Sequence, residues 1–479
     1  MVFLWVVVAV GIYWCVTKTS NSVSVQEDEK VQAEEETQEV QIVPEKNAKI
    51  RVLICSSDYE ERYHQKLLVS SEAGLICQVG QQYYECTPQQ KLLLTAKQLQ
   101  DKEAVIWTKQ DGMICLENVT RNEEIQYRGK MECYGTNEGI ILVNELPVEE
   151  YLYGVVPSEM PSSYPMEALK AQAICARTYA YYHKQSYAYP EWNANVDDST
   201  TYQVYKNISE TEETKNAIDA TRGVVLTCKG ELIESFYYAT SSGYSSGYEA
   251  WGTEEEKEYL QVKSLALQDV AVTTMTPVSD SFSTDEGSYR KYIDQGKEKD
   301  VEYRESWYRW NYNTSIDGKT FLQKVYDMAQ VQSEHITITA KNKKVNQTLV
   351  EESGIQKIQV AQRLESGLVQ EVRIETQHYE VSVRTQHIIR QLFAKNGESV
   401  IRRDGTEYEL GELLPSAYFY IDCIQGDAYV ERLEIRGGGF GHGVGMSQNG
   451  AKCLAQNGVN AEEILRFYYH EIQLVNMDV

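Results

Sequence analysis

Residues 155–183 read VVPSEMPSSYPMEALKAQAICARTYAYYH, a stretch in which Pro157, Pro161 and Pro165 precede a long run with neither proline nor glycine. Each proline fixes its own φ and pushes the residue before it toward extended backbone. PSEMP is therefore predicted to be a stiff, non-helical loop presenting one carboxylate, Glu159. Pro165 suits the first turn of a helix, where its missing N–H leaves nothing unpaired, and Glu167 suits the positive end of the helix dipole. Met166, Leu169, Ala173, Ala176 and Ala180 fall close to one helical stripe, and their small side chains let neighbouring backbone come close. Lys170 and Arg177 lie about two turns apart on one face of that helix. They can look toward Glu159 or toward water, and this stretch alone leaves both readings open.

A chain of 479 residues can bury a large core and is expected to hold two or three structural units. Its formal net charge of -25 argues against binding a phosphate backbone, so no nucleic-acid partner is expected. Part of that acidity is local: QEDEKVQAEEETQE, at 26–39, has no aromatic residue and reads as a self-repelling linker. Ahead of it, Val2 to Val16 is apolar apart from Gly11. As a helix this run would span ~22 Å, short of the ~30 Å hydrocarbon core unless flanking residues snorkel or the bilayer thins. A cleaved signal peptide is the rival, but no basic region precedes the run and no A-x-A site follows it. The expectation is an uncleaved single-pass anchor at 1–18 and an acidic linker at 19–48, with the rest of the chain outside the cytoplasm.

From Lys49 onward, IRVLIC (50–55), AGLICQV (73–79), KLLLTA (91–96), EAVIWT (103–108) and GIILVNEL (139–146) are short apolar segments between polar turns, which predicts a β-rich unit over 49–146. Ten cysteines are scattered without a C-x-x-C pair. Cys175 is expected to be a small buried thiol. Disulfides among Cys55, Cys77, Cys86, Cys115 and Cys133 are possible in an exported protein. Beyond the Ala-rich helix, NVDDSTTYQVYK (195–206) is polar enough for a groove wall, with capping or turn formation the default for Asp197 and Asp198. A helix at about 211–222 is followed by strands at 224–230 and 232–240. The loop TSSGYSSGYEAWG (240–252) mixes hydroxyl donors with the flat faces of Tyr244, Tyr248 and Trp251, a mixture suited to carbohydrate and also common in plain turns. Residues 265–430 read as a divergent, mixed α/β insertion.

Chemistry returns in GGGFGHGVGMSQNGAKCLAQNG (437–458), after a strand at 428–437 and before a helix at 461–470. Its glycines let backbone pass close to a ligand or to other protein. No register gives G-x-G-x-x-G and no G-K-[ST] follows, so neither nucleotide fingerprint is present. His442 can be an acid, a base, a metal ligand or a structural histidine bonded to backbone. His470-Glu471 lacks the second histidine of a zincin, because Leu474 stands in its place, and no G-x-S-x-G elbow occurs.

Taken in order, LPVEEYLYGVVPSEMPSSYPMEALKAQAICARTYA, DDSTTYQVY, YATSSGYSSGYEAWG…YLQVKS and GGGFGHGVGMSQNGA closely resemble the SpoIID/LytB family over about 139–264 and 431–475. The resemblance implies an α+β protein with a membrane anchor, a small β-rich unit and, over 147–479, a mixed α/β catalytic core with a groove. It implies a peptidoglycan lytic transglycosylase with Glu159 as the catalytic acid. Lys170, Arg177, Gln203, Tyr205, Ser241, Ser242, Gly243, His442, Ser447 and Gln448 are the substrate-binding residues it points to. The implied substrate is glycan stripped of stem peptides, the implied partners are a cell-wall amidase and a membrane-protein complex, and the implied setting is engulfment during sporulation. Some members bind zinc through a Cys and His cluster after the catalytic helix. Here His183 is present but 184–206 contain no cysteine, so no metal and no cofactor are expected. Two rivals remain, a non-catalytic glycan-binding enhancer of an amidase and a purely structural anchor protein.

The chemistry needs only one carboxylate. A glycosidase of the usual type uses two, whereas a lytic transglycosylase uses the sugar's own C6 hydroxyl as nucleophile, so one group can serve as acid and then as base. That acid must hold its proton near neutral pH. Burial of Glu159 would have to outweigh any pull from Lys170 and Arg177 toward ionisation. The two cations are therefore expected to bind acidic or acetamido groups of the glycan, or to aid Glu159 only once it is ionised.

Overall fold

The computed structural model describes residues 45–478 apart from 58, 60, 101, 122–124, 207, 268–284 and 343–346. The expected anchor and most of the acidic linker lie outside the described residues. Among the described residues no helix is long and apolar enough to cross a membrane.

Several of the short apolar segments after Lys49 alternate buried and more exposed side chains, as at 103–106 and 130–133, while the strand at 140–147 is buried almost throughout. A seven-stranded sheet forms in the order 196–197, 49–53, 140–147, 130–135, 103–108, 75–79, 82–86. A four-stranded sheet, 92–95, 66–70, 114–116, 126–127, supplies Leu67, Val69, Ile114 and Tyr127 to the same apolar cluster as Ile50, Val52 and Ile106 of the larger one. Cys55, Cys77, Cys86, Cys115 and Cys133 are free thiols, so the disulfides allowed from sequence do not form here.

Eight α-helices occur among the described residues: α1 (Val148–Glu159), α2 (Met166–His183), α3 (Glu212–Ala220), α4 (Glu286–Gln295), α5 (Gly318–Val331), α6 (Gln386–Phe393), α7 (Gln448–Gln456) and α8 (Ala461–Tyr468). The existence of α1 corrects the loop expected at PSEMP. Residues 157–159 are the last turn of a helix, and the chain turns extended only at Met160 (φ -134°, ψ 129°). Pro157 stands inside this helix and withholds one intrahelical bond, the one its nitrogen would make to the Tyr153 carbonyl. One residue on, the Gly154 carbonyl accepts from the Ser158 hydroxyl (2.7 Å) and from the Lys206 amide (3.1 Å), which hold this last turn in place. Gly154 itself must be glycine, since a Cβ would stand 2.6 Å from the Tyr205 ring.

Helix α2 begins after Pro165, as predicted, but it is not amphipathic. Ala173, Ala176, Ala180 and Tyr181 face the cluster of the N-terminal sheets, and Ala168, Leu169, Ala171, Ile174 and Cys175 face a second cluster built by residues 217–472. Met166, expected on the stripe, is 38% exposed at the helix start. The alanines are there because elements pack against nearly the whole circumference.

The C-terminal strand 472–476 runs antiparallel to 224–228, pairing Val224 with Asn476 and Cys228 with Ile472. The strand expected over 232–240 is split. Residues 231–232 pair with 227–228, and 237–238 then pair in parallel with 446–447. Between them Ser235 turns inward and donates to the Cys175 carbonyl (2.8 Å), which takes the chain out of the first ladder. Residues 310–437 supply most of two further sheets, one in the order 407–409, 399–402, 310–315, 430–437, 419–425 and one in the order 336–340, 379–384, 369–375, 357–363. The mixed α+β character expected from sequence is present throughout.

Candidate active site

Glu159 ends α1 beside the 203–205 segment and the 237–238 strand. Its carboxylate accepts from the Val204 amide (2.8 Å), and the Tyr237 hydroxyl and Gln448 side chain also donate to it. Gln448 begins α7 and holds the Glu159 carbonyl as well (3.1 Å). Burial pushes the Glu159 carboxyl up to about 7, against those hydrogen bonds, which pull it down. Among the described residues no charged side chain contributes to that balance.

Gln203 fixes the direction of the Tyr237 bond. Its amide donates to the Tyr237 hydroxyl oxygen (3.0 Å) and to the Ala176 carbonyl (3.3 Å), and its carbonyl accepts from Tyr151 (3.4 Å). With its oxygen filled by that donor, the Tyr237 proton is free to point at Glu159.

The parallel pairing of 237–238 with 446–447 is possible because the glycine-rich segment lies against 236–240. Gly445 has φ +78°, and a Cβ there would sit 2.0 Å from the Phe236 carbonyl oxygen. The close partner of these glycines is thus other protein, backbone at Gly438, Gly439 and Gly445 and side chains at Gly437, Gly441 and Gly443. His442 closes the same contact. Its Nδ1 accepts from the Val444 amide (3.1 Å), which leaves Nε2 to donate to the Tyr237 carbonyl (3.0 Å). Desolvation pulls this imidazole down to about 4, so it is neutral at physiological pH and holds the strand in place. Its ring carries the indole of Trp251 (centroids 5.0 Å apart), which is 36% exposed and also packs on Phe236.

Of the other residues singled out from sequence, most lie elsewhere. Lys170 pairs with Glu167 (2.8 Å), whose other oxygen accepts from the Ala461 amide at the start of α8. Arg177 is fully buried and grips Glu149 through two bonds (2.7 and 2.9 Å). Neither cation faces Glu159, so the conflict foreseen between them and a protonated acid does not arise. Tyr205 is a core residue, bonded to Asn144 (2.9 Å) and packed on Tyr151 (4.9 Å). Ser241, Ser242 and Gly243 are buried too. The Ser242 carbonyl accepts from Tyr292 (2.7 Å) and Arg309 (3.0 Å), and a Cβ on Gly243 would overlap the Tyr292 hydroxyl at 1.9 Å. Asp197 makes the turn expected of it, bonding Ser199, while Asp198 is buried against Arg121 (2.7 Å). His183 ends α2 among the rings of Tyr179, Tyr182 and Tyr202, 3.5 Å from Glu234. Among the described residues no group of three or more His, Cys, Asp or Glu side chains is arranged to hold a metal ion.

Sequence reasoning missed Glu302, which lies in the divergent region. It is buried, accepts from the Ser447 hydroxyl (2.7 Å), and takes both the amide (3.0 Å) and the hydroxyl of Ser241. Burial pushes its carboxyl up to about 7. Ser447 caps α7 through the Gly450 amide (3.3 Å), so Glu302 ties the start of that helix, and hence Gln448, to the 240–243 loop. Glu302→Ala leaves the Ser241 amide and hydroxyl without an acceptor and the Ser447 hydroxyl with only the Ala239 carbonyl at 3.5 Å. It is expected to lower unfolding free energy by roughly 2 kcal/mol, measured by denaturant titration, at about 1 kcal/mol or more per orphaned group.

Residues 136–228 match the family model described as SpoIID, stage II sporulation protein, and residues 246–445 match one described as a domain of unknown function (DUF8618). The chain is 29% identical to the amidase enhancer of Bacillus subtilis over 66% of its own length and 39% of the enhancer's. It is 28% identical to stage II sporulation protein D of the same organism over 70% of its own length and 76% of that protein's. The corresponding protein of Bacillus amyloliquefaciens is 37% identical over 26% of this chain and 40% of its own length. The chain thus spans about two fifths of the enhancer's length. Glu159, Gln203 and the 224–228 strand all lie inside the first matched segment, so the part of the chain that carries the candidate acid is similar to the SpoIID family.

Proposed function

We propose that this protein is a peptidoglycan lytic transglycosylase in which Glu159 carries both proton transfers. The observation that supports this reading most directly is a partly buried carboxyl poised near 7 with no charged neighbour among the described residues. In the first step Glu159 gives its proton to the glycosidic oxygen as the C1–O bond of N-acetylmuramic acid breaks. In the second the O6 hydroxyl of the same sugar attacks C1, and the Glu159 carboxylate takes the hydroxyl proton as the 1,6-anhydro ring closes. The Val204 amide and Tyr237 hydroxyl stabilise the carboxylate that exists between the two steps. Trp251, linked to Tyr237 through His442, offers an exposed face on which a sugar ring can stack.

The substrate is glycan stripped of stem peptides by an amidase, and the setting is wall remodelling during sporulation, with the apolar run at 2–16 holding the protein at a membrane. Incubation with purified denuded glycan, followed by mass spectrometry, tests the reading through 1,6-anhydro ends that wild type releases and Glu159→Gln does not. The match to an amidase enhancer favours one second reading, a glycan-binding activator. That reading is supported instead by an effect that requires added amidase and is unchanged in Glu159→Gln.

Tyr237→Phe removes a donor to the carboxylate. At about 1.5 kcal/mol for a bond to a charged acceptor, the alkaline limb of the pH–rate profile is expected to move up by about one unit. The profile of kcat/KM reads this directly, and an unshifted limb places the limb's titration on another group.

A further inference from the structure

A cavity of about 430 Å³ opens on the five-stranded sheet, between strands 310–315 and 430–437, the last turn of α4 and Arg403 beyond strand 399–402. That size is within the range that holds a small ligand. The charged groups on its wall are three guanidiniums, Arg309, Arg403 and Arg436, and one carboxylate, Asp294, in a chain whose net charge is -25. Arg309 is committed to structure. It donates to the Ile293 carbonyl (2.8 Å) and the Tyr292 carbonyl (3.2 Å), which neutralises the negative end of α4 where that helix meets the cavity. Arg436 stands 3.5 Å from Asp294, a carboxylate that already accepts from Tyr420 (2.7 Å). Asn311 is the cross-strand neighbour of Arg436, so the two project from one face of the sheet, and both are exposed. Arg403, exposed as well, has its guanidinium carbon over the Tyr303 ring (3.8 Å from the centroid) and donates through Nη1 to the Tyr303 carbonyl. Stacking of this kind pre-orients the guanidinium fork for a planar anion.

We propose that this cavity binds the free lactyl carboxylate of a muramic acid unit, with Arg403 and Arg436 taking the charge and Asn311 the acetamido or hydroxyl groups. The inference rests on the proposed substrate class and sharpens it. A muramic acid still carrying its stem peptide has an amide where the stripped one has a carboxylate. A cationic site therefore rewards the stripped strand and gives nothing to the substituted one. It also assigns part of the divergent region to substrate selection, with no part in proton transfer.

The full chain titrated with N-acetylmuramic acid and with N-acetylglucosamine, which differ in the lactyl group, tests this by saturation-transfer NMR and calorimetry. Wild type is expected to bind N-acetylmuramic acid and not N-acetylglucosamine. Arg403→Ala with Arg436→Ala is expected to weaken binding about tenfold or more. Both arginines are exposed, and Arg403→Gln, which keeps the stem over Tyr303, serves as the milder variant and is expected to weaken binding in the same direction. Equal binding of the two sugars, undiminished binding by the double variant, absence of binding by wild type, or inorganic phosphate competing as well as N-acetylmuramic acid would each overturn the proposal. If 1,6-anhydro ends form while the arginine variants bind as wild type does, this inference fails alone. If binding follows the arginines and no such ends form, the catalytic reading fails alone.

Discussion

Glu159→Gln is expected to reduce release of 1,6-anhydro ends by about a thousandfold or more while leaving the fold intact. A positioned general acid or base contributes about 10²–10⁴-fold, and here one group serves in both steps. The amide is nearly isosteric and still accepts from the Val204 N–H, so no cavity opens at the end of α1. It can neither give a proton to the glycosidic oxygen nor take one from O6. With the wild-type carboxyl at about 7, the protonated fraction falls as pH rises through neutrality, so kcat/KM is expected to fall above that point. Stability gives a second readout of the same group. Its carboxyl titrates at about 7 in the folded state against 4.5 as a free side chain, so between those values the folded state binds more protons than the unfolded. Wild type therefore loses stability as pH rises from about 4.5 to 7, by up to about 3 kcal/mol from this group, and stays penalised above that. Glu302, raised in the same direction, adds a similar slope to both proteins. The difference between wild type and Glu159→Gln isolates Glu159, and the variant is expected to be the more stable protein at pH 8. Equal stability at pH 5 and pH 8 relative to wild type would show that Glu159 is not held protonated by its surroundings.

The order of amino acids reports the local chemistry of short segments. The prolines place the start of α2, and the strands at 49–53, 103–108 and 140–147 fall where short apolar runs sit between turns. The glycines of 437–445 signal a close backbone approach, although not to what. Tyr237 escapes notice because one tyrosine among the chain's 35 carries no signal until Gln203 and Glu159 are placed beside it. Glu302 escapes because its partners, Ser241 and Ser447, lie 61 and 145 residues away and look like ordinary motif serines. The prolines of PSEMP mislead because their preferences describe backbone alone. The Ser158 hydroxyl and the Lys206 amide, which satisfy the Gly154 carbonyl, come from a side chain and from a remote segment. The helical face carrying Lys170 and Arg177 is right in spacing and wrong in meaning, because spacing says which residues share a face and nothing about what that face meets.

Arg177→Met is expected to destabilise the fold by about 3–5 kcal/mol, the usual range for removing one partner of a buried ion pair. All five guanidinium N–H groups are used. Nε and Nη2 hold the two Glu149 oxygens, Nη1 donates to Thr221 (3.3 Å) and to the Val224 carbonyl (3.2 Å), and Nη2 also donates to the Ile218 carbonyl (3.1 Å). One side chain thereby joins α2 to the first turn of α1, the end of α3 and the strand that pairs with the C-terminus. Removing it strands the Glu149 carboxylate with the Gly223 amide (3.2 Å) as its remaining bonded donor among the described residues. Arg177→Lys keeps a charge but cannot reproduce the fork, so it is expected to fall between Met and wild type. Arg177→Met combined with Glu149→Gln is expected to cost less than the sum of the two single changes, because the second change removes the stranded charge. A groove residue behaves differently: its loss raises KM and leaves the denaturation midpoint where it was. Denaturant titration of wild type and the four variants separates the two roles. An unmoved midpoint in Arg177→Met, with weakened glycan binding, would return Arg177 to the groove that the helix spacing allows.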